Sequence, residues 1–258
     1  MTTRDSAPII ETKDLTIRFG GHVAVDHVDF QMAPFTLKSI IGPNGAGKTT
    51  FFNMLTGQYK PTEGQVLLHG RDITALSTAE RTRLGMGRSF QLTNIFPMLT
   101  VLENVRIAVQ SREGFGLNFW RSYLSYGEAE DEAYAILEDV LLNEKYNATS
   151  AALTHGEKRK LEIAILLALK SDILFLDEPT AGMSLEEVPA ILELLHKIKE
   201  TRRRTLLLVE HKMDMILSLS DTIMVLQEGK LIADGEPDEI YRSKAVQEAY
   251  LGGGARRE

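Results

Sequence analysis

Cysteine is absent from the 258 residues, which excludes both disulfides and thiolate metal sites. Long apolar runs are missing as well. The longest, around Ile163–Leu169, falls well short of the roughly 18 to 20 residues needed to cross a bilayer, so no part of the chain is expected to span a membrane. Positive charge is in deficit: Lys plus Arg number 29 against 36 Asp plus Glu, a formal charge of -7 with a pI near 5.5. That balance argues against a general attraction to nucleic acid or anionic lipid, so any polyanion must be held locally. The first residues, MTTRDSAPII, lack the apolar core of a signal peptide, and a cytosolic location is expected. What is present is 43% hydrophobic and 25% charged residues. This composition excludes disorder, collagen and coiled coil, and can bury a sizeable core as one large domain or two small ones.

Between Ile9 and Gln65 the pattern consists of short β-type runs, including Leu15–Phe19 and Leu37–Ile41, separated by Gly and Pro. After Ile41 comes GPNGAGKTT and then FFNMLTG, an apolar helix pattern that stops at Gly57 as a glycine C-cap would. A strand is expected at Val66–His69, and Ser77 with Glu80 suits either a capping box or an ordinary polar turn. From Leu99 to about Leu169 the pattern is mostly helical, with Val101, Leu102, Val105 and Ile107 on one face and Ala133, Ile136, Leu137, Val140 and Leu141 on another. Residues 172–235 return to α/β alternation, and the runs Ile173–Leu176 and Leu206–Val209 suit parallel strands buried on both faces. No internal repeat is evident. The closing LGGGARRE reads as a frayed tail, and TRRRT at Thr201–Thr205 as a solvated loop rather than a binding patch.

Two stretches carry chemistry. Gly42-Pro43-Asn44-Gly45-Ala46-Gly47-Lys48-Thr49 fits G-x-x-x-x-G-K-[ST] without departure, in the strand-to-helix context that the motif requires. Glycines without Cβ let backbone N–H groups converge on phosphates, the helix N-terminus adds positive partial charge, and Lys48 reaches the β- and γ-phosphates. Thr49 supplies a hydroxyl for Mg²⁺. The run Ile173-Leu174-Phe175-Leu176-Asp177-Glu178 ends a buried strand with two acids, which is costly without a cation or hydrogen-bond partner. Beside a phosphate loop that partner is Mg²⁺, assigned to Asp177, with Glu178 placed to orient or deprotonate an attacking water. His211 follows the strand Thr205–Val209 and emerges at the same C-terminal sheet edge, where it becomes a candidate γ-phosphate contact. The histidines at 22, 27, 69, 155 and 196 show no such placement and no metal-site spacing.

This set resembles the ATPases of the ATP-binding cassette (ABC) family, over essentially the whole chain from about Ile10 to Leu251. GPNGAGKTT is similar to the family's Walker A loop, GRSFQ places Gln91 at the Q-loop, and LTHGEKRKLEIA resembles the signature. LFLDEPTAG resembles Walker B with its glutamate, and His211 the switch histidine. The resemblance implies an α/β fold: a P-loop NTPase core with a mostly parallel sheet, an N-terminal antiparallel β subdomain and an inserted helical subdomain. The expected extent is one ABC ATPase domain over 8–252, with core about 8–93 and 172–240, helical subdomain about 94–171, and a flexible tail at 253–258.

ATP and Mg²⁺ are the implied cofactors. The nucleotide set is Phe19, Gly42, Pro43, Asn44, Gly45, Ala46, Gly47, Lys48, Thr49 and Thr50, with Phe19 stacking on adenine or, alternatively, packing in the core. Thr154, Gly156 and Glu157 would meet the nucleotide of a second subunit. Thr49, Gln91 and Asp177 are the implied metal set, and Lys48, Gln91, Glu178 and His211 the catalytic one. The signature departs from L-S-G-G-Q at Thr154, His155 and Glu157, and the D-loop position, Ala181-Gly182-Met183-Ser184, lacks the usual Asp and is assigned no catalytic role.

Several segments narrow the resemblance to the ATPases of branched-chain amino-acid importers: LTIRFGGHVAVDHVDF, RSFQLTNIFPMLTVLENV, GFGLNFW and VEHKMDMILSLSDTIMVLQEGKLIADGEPDEI. THGEK is also similar to the ATPases of related urea importers, so the solute stays open, as does a non-transport ABC ATPase. The implied partners are transmembrane permease subunits and a second ATPase subunit, identical or related, with a solute-binding protein engaged indirectly and no nucleic acid. That places the chain peripherally on the cytoplasmic face of the membrane. The permease contact is expected over Asn94–Val105, with core packing of Phe96, Leu99 and Leu102 as the alternative.

Overall fold

The computed structural model describes residues 7–89, 95–112 and 122–251. Gln91, the whole GFGLNFW segment and the 253–258 tail lie outside the described residues. Strands β1 (Ile10–Phe19) and β2 (His22–Met32) form an antiparallel hairpin whose last pair is Phe19 with His22. The turn between them is Gly20-Gly21, and Gly20 takes a φ of 58° that costs a residue without Cβ nothing. On the other flank of β1 lies β4 (Glu63–Leu68), edged by β5 (Arg71–Asp72), which gives a sheet of order β2-β1-β4-β5.

The second sheet has the order β10-β9-β3-β8-β7-β6. Its strands are β3 (Leu37–Ile41), β6 (Met86–Arg88), β7 (Ile173–Asp177), β8 (Thr205–Val209), β9 (Thr222–Gln227) and β10 (Lys230–Gly235). All neighbours pair in parallel except β9 with β10. Every residue of β3, β7 and β8 is buried, so these strands need apolar side chains on both faces rather than alternation. Because β3, β7 and β8 run the same way, whatever follows Ile41, Asp177 and Val209 emerges at one sheet edge.

Helix α1 (Lys48–Leu55) follows β3 and packs between the sheets, where Phe51 meets Phe30 and Phe52 meets Phe175, each edge-on at 5.5 Å. Gly57 has a φ of 79° just past the helix end, in keeping with the expected glycine cap. Arg81, fully buried in α2 (Thr78–Arg83), completes that end by donating from Nη1 to the Met54 and Leu55 carbonyls at 2.8 and 2.7 Å. Burial pulls its guanidinium down to about 10. The Ser77–Glu80 capping box forms at the start of α2.

Helices α3 (Val101–Arg112), α4 (Ser122–Asp139) and α5 (His155–Ala168) share a core with α6 (Val188–Glu200) and one face of β7 and β8. Helix α7 (Met213–Leu219), α8 (Pro237–Arg242) and α9 (Lys244–Leu251) cover β9 and β10, through a small core of Ile41, Ile216, Ile223, Val225, Ile240 and Val246. Among the described residues no helix is long and apolar enough to cross a membrane. The stretch after residue 94 divides: Leu102 and Val105 are buried, whereas Phe96 is 55% and Met98 83% exposed. TRRRT is not simply a solvated loop, because Arg204 is half-buried and donates to the Ser171 carbonyl at 2.6 Å, and Thr205 already begins β8 in the core.

Candidate functional site

The loop between β3 and α1 turns on glycines where nothing else fits. At Gly42 an added Cβ would lie 2.1 Å from the Leu226 carbonyl oxygen, and at Gly47, the residue before α1 with φ 95°, it would lie 2.5 Å from the Ala24 carbonyl oxygen. The first-turn N–H groups of α1 thus open onto a cavity lined by Phe19, His22, Ala24, Asn44, Gly45, Ala46, Gly47, Lys48, Thr49, Thr50, Glu178 and His211. A helix N-terminus with converging backbone donors and a lysine is a phosphate cradle. Lys48 is buried, and its ammonium donates to the Gly42 and Pro43 carbonyls at 2.7 and 3.0 Å. Burial pulls its pKa down, against the attraction of Glu178 and Asp177. An anion would give this desolvated cation a stronger partner than the two carbonyls.

At the end of β7, Asp177 is 1% exposed. Burial raises its pKa, offset in part by Arg88, whose Nη2 sits 3.4 Å from Oδ2. Oδ1 is buried without a hydrogen-bond partner, a position that suits a cation. Arg88 is itself fixed by Asn53 Oδ1 at 2.7 Å and Thr56 Oγ1 at 2.8 Å. Glu178, next along, has a φ of 47°, uncommon for a residue with a side chain and typical of functional turns. Its N–H donates to the Val209 carbonyl at 2.8 Å, and its Oε1 lies 2.8 Å from Nε2 of His211. The carboxylate and imidazole therefore face each other across the cavity from the ends of β7 and β8.

Other contributions escaped the sequence reading. His22 joins Phe19 in the cavity wall; the pairing of Phe19 with His22 across a two-glycine turn was the available signal. Phe19 is 47% exposed and edge-on to Tyr59 at 5.5 Å, so it does not pack in the core. Glu210, buried, accepts from the Thr180 N–H and hydroxyl at 3.0 and 2.6 Å and from the His211 N–H at 3.0 Å. It ties the segments after β7 and β8 together, and an acid closing an apolar strand, as at Asp177, was its signal. From α9, Tyr250 meets the Gly42 backbone N–H, a contact between residues 208 apart that no local pattern reveals.

Thr154, Gly156 and Glu157 lie elsewhere, at the start of α5, and do not line this cavity. Thr154 and Glu157 form a capping box, and Glu157 pairs with Lys145 at 2.6 Å. Burial pushes the Glu157 carboxyl up, but Lys145 and Thr154 hold it below the usual range. His155 Nε2 lies 3.0 Å from the Ala181 carbonyl, and the Gly156 N–H donates to Glu187 at 3.3 Å, so the start of α5 leans on the segment that follows β7.

A phosphate cradle at one end of a parallel sheet, with acids beside it from the end of β7, one strand beyond β8 from the cradle's own β3, is the arrangement of a P-loop nucleoside triphosphatase. The chain belongs to the ABC transporter family, whose model matches residues 25–181, and a second model, described as branched-chain amino acid ATP-binding cassette transporter, matches 230–256. It is 38% identical over 255 residues to the high-affinity branched-chain amino acid transport ATP-binding protein LivG of Escherichia coli (strain K12), covering 96% of this chain and 99% of that protein. BraF of Pseudomonas aeruginosa, with the same description, is 40% identical over 254 residues at 96% and 99% coverage. Among solved structures, an ATP-binding cassette of an ABC transporter in its ADP conformation superposes with a TM-score of 0.82 at 28% identity, covering 96% of this chain and all 100% of that one. A dimeric cassette in a post-hydrolysis state bound to ADP and Pi gives 0.75 at 25% identity, with 88% and 98% covered. The ABC fold and the ATPase class expected from the sequence are thus both met: the protein binds and hydrolyses ATP.

Proposed function

We propose that this ATPase powers a membrane importer of branched-chain amino acids, docked on permease subunits at the cytoplasmic face and working as a pair of cassettes. The cargo follows the near full-length likeness to LivG and BraF and the match over 230–256. The mechanism rests on one observation above all, the convergence of the phosphate loop, Glu178 and His211 on a single cavity. Phe19 stacks on the adenine, and the loop amides from Asn44 to Thr50 with Lys48 hold the phosphates. Glu178 accepts a proton from the attacking water, while His211 holds the Glu178 carboxylate and contacts the γ-phosphate. Thr49 and Asp177 would hold Mg²⁺, together with Gln91; the partnerless Oδ1 of Asp177 fits that role. When bound, Mg²⁺ neutralises charge on the phosphates.

Within one chain, Thr154 and Gly156 do not reach this nucleotide. A second cassette, facing head to tail, supplies them, and ATP bound between the two favours the closed pair. Exposed Phe96 and Met98 give the permease an apolar contact.

The test is Glu178→Gln. Nucleotide binding should persist while turnover falls by at least about 10²-fold. Hydrolysis at the normal rate would remove Glu178 from the base role.

A further inference from the structure

A second cavity, of about 210 Å³, lies well away from the phosphate loop, where α4, α5 and α6 meet. Its apolar wall comes from Ile136 on α4, Leu167 on α5, and Leu194 and Ile198 on α6. Six charged side chains also line it, four cationic and two acidic. The acids are already matched: Glu132 pairs with Lys170 at 3.2 Å and with Arg112 at 2.7 Å, and Asp139 with Lys197 at 3.0 Å. The surplus is therefore Arg203 and Arg204. Arg204 donates to the Ser171 and Leu167 carbonyls at 2.6 and 3.5 Å, and Asp172 attracts it without forming an ion pair. Arg203, exposed beside it, has no acidic partner among the described residues.

Two adjacent guanidinium groups repel each other and favour an anion between them, and a carboxylate meets their fork-shaped donors well. The apolar wall beside them suits a short branched hydrocarbon. We propose that this cavity binds a small aliphatic carboxylate, its chain among α4, α5 and α6 and its carboxylate on Arg203 and Arg204, and that occupancy changes ATP turnover. The coupling has a structural route. α5 carries Thr154 and Gly156 at its other end, and that end contacts Ala181 and Glu187, which lie between the Glu178 strand and α6. A ligand bridging the far ends of α5 and α6 restricts how these two helices can shift against each other.

The carboxylate has two candidate sources, a free aliphatic acid or an aliphatic amino acid; only the second rests on the cargo reading above. Calorimetric titration of the full-length protein with 4-methylpentanoate, 4-methylpentanamide and leucine separates them. The acid should bind with a Kd of roughly 0.1 to 1 mM, the neutral amide should not bind detectably, and Arg203→Glu should weaken the acid by about tenfold or more. Leucine binding as well as the acid identifies the amino acid as the source; binding of 4-methylpentanoate alone identifies the free acid. Ile136→Phe, which fills the wall, should abolish binding while circular dichroism and basal ATPase stay unchanged. Saturation should change kcat at least about twofold in the wild type, and Arg203→Glu should need about tenfold more ligand or more for the same change. Absence of binding by either carboxylate, binding indifferent to Arg203→Glu, or occupancy without any effect on kcat would each overturn the proposal. None of these results bears on ATP binding at Lys48, so the failure of this idea and the failure of the ATPase reading are distinct.

Discussion

Asp177 ends an apolar strand as a carboxylate that burial disfavours, with one oxygen near Arg88 and the other unpartnered. Its pKa is raised above 3.8 in the folded protein, so the native state binds this proton more tightly than the unfolded chain does. The linkage sign is then fixed: in the absence of metal, the Asp177 contribution falls as pH rises from 3.8 through the folded value. Asp177→Asn should therefore melt higher than the wild type at neutral pH, by on the order of 2 to 4 °C for each kcal/mol of desolvation relieved. The difference should shrink below pH 3.8, where both side chains are neutral. Arg88 keeps Asn53 and Thr56 as partners, so the substitution strands no cation. Calorimetric scans from about pH 3 to 8 without metal read the difference directly, and a variant that melts lower at neutral pH would show that the Arg88 pair outweighs the desolvation. The same variant should lose ATP turnover, because the destabilising charge is the one proposed to meet Mg²⁺.

Helix starts show what a local pattern can and cannot reveal. Ser77 with Glu80 and Thr154 with Glu157 are both capping boxes, yet in sequence the first has an equal alternative and the second shows only as a departure from L-S-G-G-Q. The cap explains the departure: a carboxylate three residues after a threonine reaches back to its N–H at 3.0 Å, and Lys145 adds an ion pair. Ser77→Ala and Thr154→Ala should each cost about 1 kcal/mol in chemical denaturation. Only Thr154→Ala should also lower turnover, since α2 lies away from the nucleotide cavity; equal loss of activity in both would reduce Thr154 to a cap. The phosphate loop, β3, β7 and β8 were legible because their residue types satisfy strict local demands: glycine where a Cβ collides, and leucine or isoleucine on both faces of buried strands. The Arg81 cap on α1, Glu210 under Thr180 and Tyr250 against Gly42 were not. Each joins residues far apart in the chain, and the side chain's chemistry alone does not say which backbone group it will find.

At the scale of the molecule, the two groups of residues proposed as halves of one composite site never meet within the single chain. One is the cavity holding Lys48, Glu178 and His211; the other is the exposed start of α5, with Thr154 and His155 at the surface and Gly156 beneath them. In the proposed head-to-tail pair each half-site completes the partner's, so damage to α5 should leave monomer binding intact and abolish pairing. Gly156→Asp is suited to this, because a Cβ there would already lie 3.0 Å from Glu187 Oε1, and a second carboxylate would repel both Glu187 and an incoming phosphate. Placed in the Glu178→Gln background, which should accumulate as a dimer with ATP, Gly156→Asp should bind a fluorescent ATP analogue within about threefold of its parent. It should elute as a monomer in size-exclusion chromatography with ATP present. Mixing one subunit carrying only Gly156→Asp with one carrying only Lys48→Ala gives the sharper reading. In one of the two composite sites of the mixed pair both substitutions coincide, and the other site is wild type. Recovery of turnover on mixing two inactive variants would mean that one intact composite site suffices, whereas hydrolysis by Gly156→Asp alone would mean that the site is complete within a single chain.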